Sequence, residues 1–170
     1  MALQKPATMW VSHLPSDATF VFGLLHGVFP MATAPAGDHS LGMSGMYTYL
    51  KYGPMMRALQ GRVWNLQPHA ISAYIGNTTT PAAGSAQGGP GVGVDANLFD
   101  LPDGSSVAVL ALRGTTAATV TVRLARVAAE PAVKIESLQL GRTENWAPAA
   151  ARDGTVQLEI RSTVAMLRIS

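Results

Sequence analysis

The second half of the sequence is built of short runs in which apolar and polar residues alternate. In the run ATVTVRLAR, Val120, Val122 and Leu124 fall on one side of an extended chain, and the threonine and arginine between them fall on the other. The run TVQLEIR, residues 155–161, alternates in the same way. A period of two residues indicates a β-strand with one buried face.

Other segments fit the same architecture. SVAVLALR (106–113) is apolar on both faces and predicts a central strand, and the short GTT that follows it predicts a hairpin to ATVTVRLAR. The Pro102-Asp103-Gly104 sequence predicts a tight turn. Further strands are predicted in residues 62–75 (bent at Pro68), 132–140 and 164–169. The fold class is therefore predicted to be mainly β, an antiparallel β-sandwich.

The composition changes near residue 62, because most methionines, phenylalanines and tyrosines precede that position. We predict two parts: residues 1–61, a helical and loop segment, and residues 62–170, the sandwich. Residues 76–93, GNTTTPAAGSAQGGPGVG, are almost free of large side chains and predict a flexible loop.

Within the front part, residues 18–29 form an apolar run that predicts either a buried strand or a short helix. MYTYLKY (46–52) predicts a helix, and Gly53 and Pro54 are expected to end it. Pro54 would open a second short helix, which Gly61 would close in the left-handed conformation.

Composition and charge exclude several function classes. Basic residues are scattered and the net charge is only +2, so nucleic acid is not expected as a partner. The absence of cysteine excludes disulfides and thiolate metal sites. No histidine pair has metal-binding spacing, and neither a metal nor another cofactor is predicted. No segment predicts a membrane span or a clear signal peptide, which leaves the localisation open.

The segment NLFDLPDGSSVAVLALRGTTAATVTVRL (97–124), with STVAMLRIS (162–170), resembles the C-terminal β-sandwich of many glycoside hydrolases, which follows a (β/α)8 barrel. YGPMMRALQGRVWNLQPHAI (52–71) resembles the junction between barrel and sandwich, and FVFGLLHGVFPMATAPAGDHS (20–40) would supply the final barrel strand and its loop. A complete barrel needs about 200 residues or more, far more than precede the sandwich here.

The resemblance implies the C-terminal, largely structural portion of a carbohydrate-active protein, inactive by itself, whose partner is an absent barrel domain or a separate chain. If the portion belongs to an enzyme, that enzyme is a glycosidase. A non-catalytic carbohydrate-binding or adhesion module with a free-standing sandwich is the alternative.

Two candidate site residues lie on the loop that would follow the barrel strand. Asp38 would act as a carboxylate acid or base, and His39 would hydrogen-bond a sugar hydroxyl. Glycosidases use two carboxylates, and the front part offers only Asp17 beside Asp38. An Asx turn, in which Asp38 accepts a hydrogen bond from its own backbone, is the alternative interpretation.

Among the three tryptophans, Trp146 is the candidate for contact with a sugar, because it lies in the polar segment RTENWAPA. Its indole would stack on the apolar face of a pyranose, or would pack on the sandwich edge. Trp64 is expected to pack in a core between the two parts, and His26, inside an apolar run, is expected to be a buried structural histidine.

Overall fold

The computed structural model describes residues 8–11, 16–32, 43–67, 69–76, 92–129, 132–140, 145–152 and 154–170. The predicted flexible loop at 76–93 lies outside these residues, apart from Gly76, Val92 and Gly93. Asp38 and His39 also lie outside the described residues.

Strands predominate over helices in the described part of the chain. The elements are, in chain order, β1 (Thr8–Val11), α1 (Asp17–His26), β2 (Phe29–Ala32), α2 (Met43–Ala58), β3 (Val63–Trp64), β4 (Ile71–Ile75), β5 (Gly93–Asp100), β6 (Ser106–Arg113), β7 (Ala118–Leu124), α3 (Ala125–Ala129), β8 (Ile135–Gln139), β9 (Ala147–Pro148), β10 (Ala151–Arg152), β11 (Thr155–Ile160) and β12 (Val164–Ile169).

The strands of the second half form two antiparallel sheets. One sheet has six strands in the order β3-β5-β6-β12-β8-β9, and the other has four in the order β10-β11-β7-β4. Strands β1 and β2 form a separate, parallel pair in the front part. The predicted fold class, mainly β with antiparallel sheets, is therefore confirmed.

The central strands of the six-stranded sheet, β6 and β12, are buried on both faces. From β6, Val107 and Val109 pack against the helices α1 and α2, while Leu110 and Leu112 point into the space between the two sheets. The apolar residues on both sides of SVAVLALR are explained by this position, because β6 lies between β5 and β12 with a layer on each face. The molecule has three layers: helices, the six-stranded sheet and the four-stranded sheet.

The hairpin predicted at GTT is wrong. β6 pairs with β5 and β12, whereas β7 pairs with β4 and β11, so residues 114–116 connect the two sheets rather than two neighbouring strands. The physical reason is that both edges of β6 are already paired. The buried side of β7, with Val120 and Val122, then faces β6 across the sandwich interior.

Helix α1 resolves the ambiguity of residues 18–29, and it corrects the strand that the resemblance began at Phe20. The Ser16 side chain accepts a hydrogen bond from the Thr19 amide at 3.3 Å, and Gly27 ends the helix in the left-handed conformation (φ 62°). Phe20 and Leu24, one turn apart, are buried against the sheet. The strand near this position is β2, four residues at 29–32.

Helix α2 corrects the prediction of two helices divided at Pro54. The helix runs from Met43 to Ala58 with Pro54 inside it. Proline removes one backbone donor, but Tyr52, Met55 and the following Leu59 form a fully buried stripe against the sheet. We infer that this packing outweighs the lost hydrogen bond. Gly61 has φ 72°, which confirms its predicted left-handed conformation.

The Arg62 side chain forms hydrogen bonds with the C-terminal ends of both α1 and α2. Its Nε donates to the Gly27 carbonyl oxygen at 2.6 Å, Nη2 donates to the same oxygen, and Nη1 donates to the Leu59 carbonyl at 3.3 Å. The guanidinium lies 3.9 Å from the centre of the Phe29 ring. Burial lowers the pKa of Arg62. A cation on C-terminal carbonyls is stabilised by both helix dipoles.

Candidate functional site

The sequence candidate Trp146 lies in a cleft of about 290 Å³ at one corner of the six-stranded sheet. The cleft is formed by the C-terminal end of α2 (Arg57 and Gln60), the turn Leu101–Asp103 between β5 and β6, Arg168 of β12, and Trp146 itself just before β9. These elements are far apart in sequence. The fold brings together an aromatic ring, two guanidinium groups, a carboxylate and an amide.

The register of the sheet explains why polar side chains gather at this corner. Along β12, Val164 and Met166 face the helix layer, so Arg168 lies on the same face two residues further on. Helix α2 ends at Ala58 and the chain turns away at Gly61, where an added Cβ would lie 2.8 Å from Pro102 Cγ. Beyond this contact the helix layer no longer covers the sheet, and charged residues become tolerable.

Asp103 and Arg168 form an ion pair on the wall of the cleft. Arg168 Nη2 donates to Asp103 Oδ2 at 2.6 Å, and Asp103 Oδ1 accepts from the Ser105 amide at 3.0 Å and from its hydroxyl at 2.6 Å. Arg168 Nε is buried and has no hydrogen-bond partner among the described residues. The carboxylate is therefore held in a fixed orientation, and the guanidinium has a donor left unsatisfied.

These contacts predict a pH dependence. Hydrogen bonds from Ser105, and then the Arg168 guanidinium, hold the pKa of the Asp103 carboxyl below its ordinary value of 3.8. Because the folded pKa is depressed, the stabilisation is fully present above the unfolded value and is lost as pH falls through the folded value. We expect the stability difference between the wild type and Asp103→Asn to shrink below about pH 3.8, measured by urea unfolding at several pH values.

Ser105→Ala is the matched control for this pH profile, since it removes the hydroxyl that contributes most to the low pKa of Asp103. It should weaken the pH dependence while leaving the carboxylate in place. A difference between the wild type and Asp103→Asn that stays constant from pH 7 to below pH 3 would contradict the assignment.

Trp64 differs from its predicted place in a core between the two parts, because it lies on the edge strand β3 and is 41% exposed. Its Nε1 donates to the His26 carbonyl at 3.1 Å, and its ring meets Phe99 edge to face with 5.7 Å between centroids. His26 is half-buried, and its ring lies between Phe22 and Trp64 at centroid distances of 4.3 and 6.2 Å. An edge strand covers only one side of a tryptophan, which explains the exposure.

The carboxylate Asp17 lies in the first turn of α1, where Lys51 Nζ donates to its Oδ2 at 2.8 Å. The hydrogen bond to Lys51 lowers the pKa of Asp17, and burial together with the Asp17 charge raises the pKa of the neighbouring Tyr52 phenol. The Asp17–Lys51 ion pair joins α1 to α2.

Since Asp38 and His39 fall outside the described residues, their catalytic and sugar-binding roles stay predictions.

The described residues contain neither a metal-binding cluster nor a membrane-spanning helix. Over the residues that the structure covers, no three His, Cys, Asp or Glu side chains are grouped so as to hold a metal ion. None of the helices in those residues has the length and apolarity to cross a lipid bilayer.

Sequence reasoning singled out Trp146 but not the polar residues around it. Asp103 was assigned only to a turn, and Arg168 is 65 residues away from it. Nothing in the local sequence joins these positions; only the pairing of β12 with β6 and β8 places them together.

The chain matches no protein-family model and no curated protein.

Proposed function

We propose that this chain is the sandwich-bearing, largely structural portion of a carbohydrate-active protein of the glycoside hydrolase type. In this proposal the sandwich braces a catalytic domain built on parallel strands and performs no hydrolysis by itself. The resemblance of residues 97–124 and 162–170 to the sandwiches of such enzymes supplies the chemical class.

The observation that carries the proposal is the β1–α1–β2 unit. Thr8–Val11 pairs in parallel with Phe29–Ala32, and α1 forms the crossover between them. Parallel strands occur almost entirely in larger sheets covered by helices on their faces. Within the described residues this sheet has two strands, so both outer edges present unpaired backbone groups. A strand–helix–strand unit followed by a helix and a sandwich is the order expected at the end of a barrel.

The outer surface of the helices also supports the proposal that another domain packs against them. Phe22 on α1 is 52% exposed, and Tyr47 and Leu50 on α2 are 62% and 65% exposed. The opposite side of each helix is fully packed on the sheet. These exposed apolar side chains all belong to the helix layer, and they support the proposal that another domain covers this layer.

The sandwich, by contrast, has a closely packed aliphatic interior, as expected of a domain with a structural role. The facing strands are filled with aliphatic side chains, including Leu110, Val122, Ile160 and Leu167, each fully buried. A closely packed interior of this kind resists deformation and holds attached elements in place.

Two measurements on the isolated chain test the proposal. In hydrogen–deuterium exchange, amides of β1 and β2 should exchange far faster than those of β6 and β12, because a two-stranded sheet is marginal without neighbours. A panel of aryl glycosides should show no turnover. The proposal fails if turnover appears and disappears in Asp38→Ala, or if β1 and β2 are protected as well as the central strands.

The alternative, a free-standing carbohydrate-binding or adhesion module, is favoured by one observation, the accessible aromatic cleft at Trp146. Strong protection of β1 and β2 in the same exchange experiment would support a front half that is complete in itself, and so this alternative. Weak protection supports the bracing role.

A further inference from the structure

We propose that the cleft beside Trp146 binds a neutral saccharide unit. This inference rests on the proposed carbohydrate-active function and adds to it a contact between the sandwich and the glycan. The site lies at a corner of the six-stranded sheet, and neither β1 nor β2 contributes a residue to its lining.

The indole of Trp146 supplies the flat apolar surface that a sugar ring requires. It is half-buried, and the covered part packs on the apolar cluster between the helices and the sheet, close to Leu138 in the adjoining strand. Trp146 therefore both packs on this cluster and lines the cleft. A fixed aromatic ring loses little side-chain freedom when a ligand stacks on it, which favours binding.

The polar side chains around the ring match the hydroxyl groups of a sugar. Asp103 offers carboxylate oxygens, Arg168 and Arg57 offer guanidinium donors, and Gln60 offers an exposed amide with both a donor and an acceptor. The Asp103–Arg168 pair is held by Ser105, so its orientation is set before a ligand arrives. A few polar groups placed around one apolar surface are typical of ligand sites.

The size and charge of the cleft limit the ligand class. Its volume of about 290 Å³ lies at the lower end of the range for small-ligand sites, about 300–1,000 Å³. Asp103 and Arg168 neutralise each other across 2.6 Å, so this pair offers hydrogen bonds, and Arg57 adds one further cation to the lining. A cleft of this size with a single surplus cation favours a short, hydroxyl-rich stretch of glycan over a polyanion.

Trp64 provides an internal comparison. It is more exposed than Trp146, but its neighbours are the rings of His26 and Phe99, and its Nε1 already donates to a carbonyl. Trp146 instead shares a cleft with Asp103, Arg168 and Gln60. Comparing Trp146→Ala with Trp64→Ala therefore distinguishes sugar stacking in the cleft from a general effect of an exposed indole.

The test is affinity gel electrophoresis of the full chain in gels containing xylan, glucomannan, mixed-linkage β-glucan or arabinan. We expect retardation in at least one gel, weakened about tenfold or more by Trp146→Ala and unchanged by Trp64→Ala. Gln60→Ala, on the exposed end of α2, should weaken it several-fold and serves as the second variant if Trp146→Ala does not fold, as judged by circular dichroism.

Each outcome decides the inference. Saccharide binding at the cleft is contradicted if the retardation survives both Trp146→Ala and Gln60→Ala. It is also contradicted if Trp64→Ala abolishes the retardation instead. Either result would still support a carbohydrate-active protein. A wild-type chain that no gel retards also overturns the cleft. The bracing role is decided separately by the exchange and turnover measurements.

Discussion

Replacing Phe99 with alanine is expected to lower the free energy of unfolding by about 3–5 kcal/mol, the largest loss at a single side chain that we predict. Phe99 is fully buried on β5, at the point where the sheet meets the end of α1. Its Cε1 lies 2.8 Å from where a Cβ on Gly27 would stand, and its ring meets Trp64 edge to face. The alanine would leave a cavity between two layers.

Urea unfolding followed by circular dichroism measures this loss. Phe22→Ala is the matched control, since the same residue type on α1 is 52% exposed, and it should cost less than about 1 kcal/mol. If the two variants lose equal stability, the helix layer does not pack on the sheet as described. A separate early transition in Phe99→Ala would show that the helices unfold before the sandwich.

Replacing Gly154 with alanine is expected to cost about 2–5 kcal/mol. Gly154 has φ 73°, in the left-handed region where a side chain adds strain of about 1–2 kcal/mol. Its added Cβ would also lie 2.7 Å from Ala128 Cβ and 3.1 Å from Ala128 Cα. A backbone atom cannot move aside as a flexible side chain can, so α3 would have to shift, at about 1–3 kcal/mol more.

Gly104→Ala separates the two effects. Gly104 has a similar φ of 80°, but an added Cβ would meet nothing within 4 Å, so only the strain should appear. The difference in unfolding free energy between the two variants therefore measures the contact with α3. Equal losses at both positions would mean that α3 does not pack against Gly154.

The strands of the second half were predictable because burial of one face leaves a period of two. In β11, Val156, Leu158 and Ile160 are buried and the residues between them are not, as the alternation indicates. The sheet to which each strand belongs was not predictable. The sequence of a strand that is apolar on both faces, such as β6, does not indicate which strands pair with it. The short GTT connection therefore predicts a hairpin, whereas in the structure it crosses between the two sheets.

The helices show which local signals were present but not decisive. Ser16 before Asp17 and Gly27 after His26 are helix-end signals, and they would have favoured the helix over the strand for this apolar run. At Pro54 the local rule was misleading, because the gain from burying the stripe of Tyr52 and Met55 belongs to tertiary packing.

Part of the candidate site was visible from one residue. An aromatic residue in a polar segment marked Trp146, yet its partners depend on a sheet register that no local pattern records. Arg168 follows the uninterrupted apolar run of residues 164–167, and in sequence it is only the polar residue near the end of a strand. Its position opposite Glu136, beside the open corner, follows from the pairing of β12 with β8.

The position of β12 affects how the protein is made. Within the six-stranded sheet, β12 joins the β3-β5-β6 group to the β8-β9 pair, and it is the last of these strands to leave the ribosome. Until it emerges, β6 and β8 each lack a partner on one edge, and these unpaired edges can associate with other chains. The six-stranded sheet is therefore completed only when residues 164–169 pair, and a delay in this step prolongs the aggregation-prone stage.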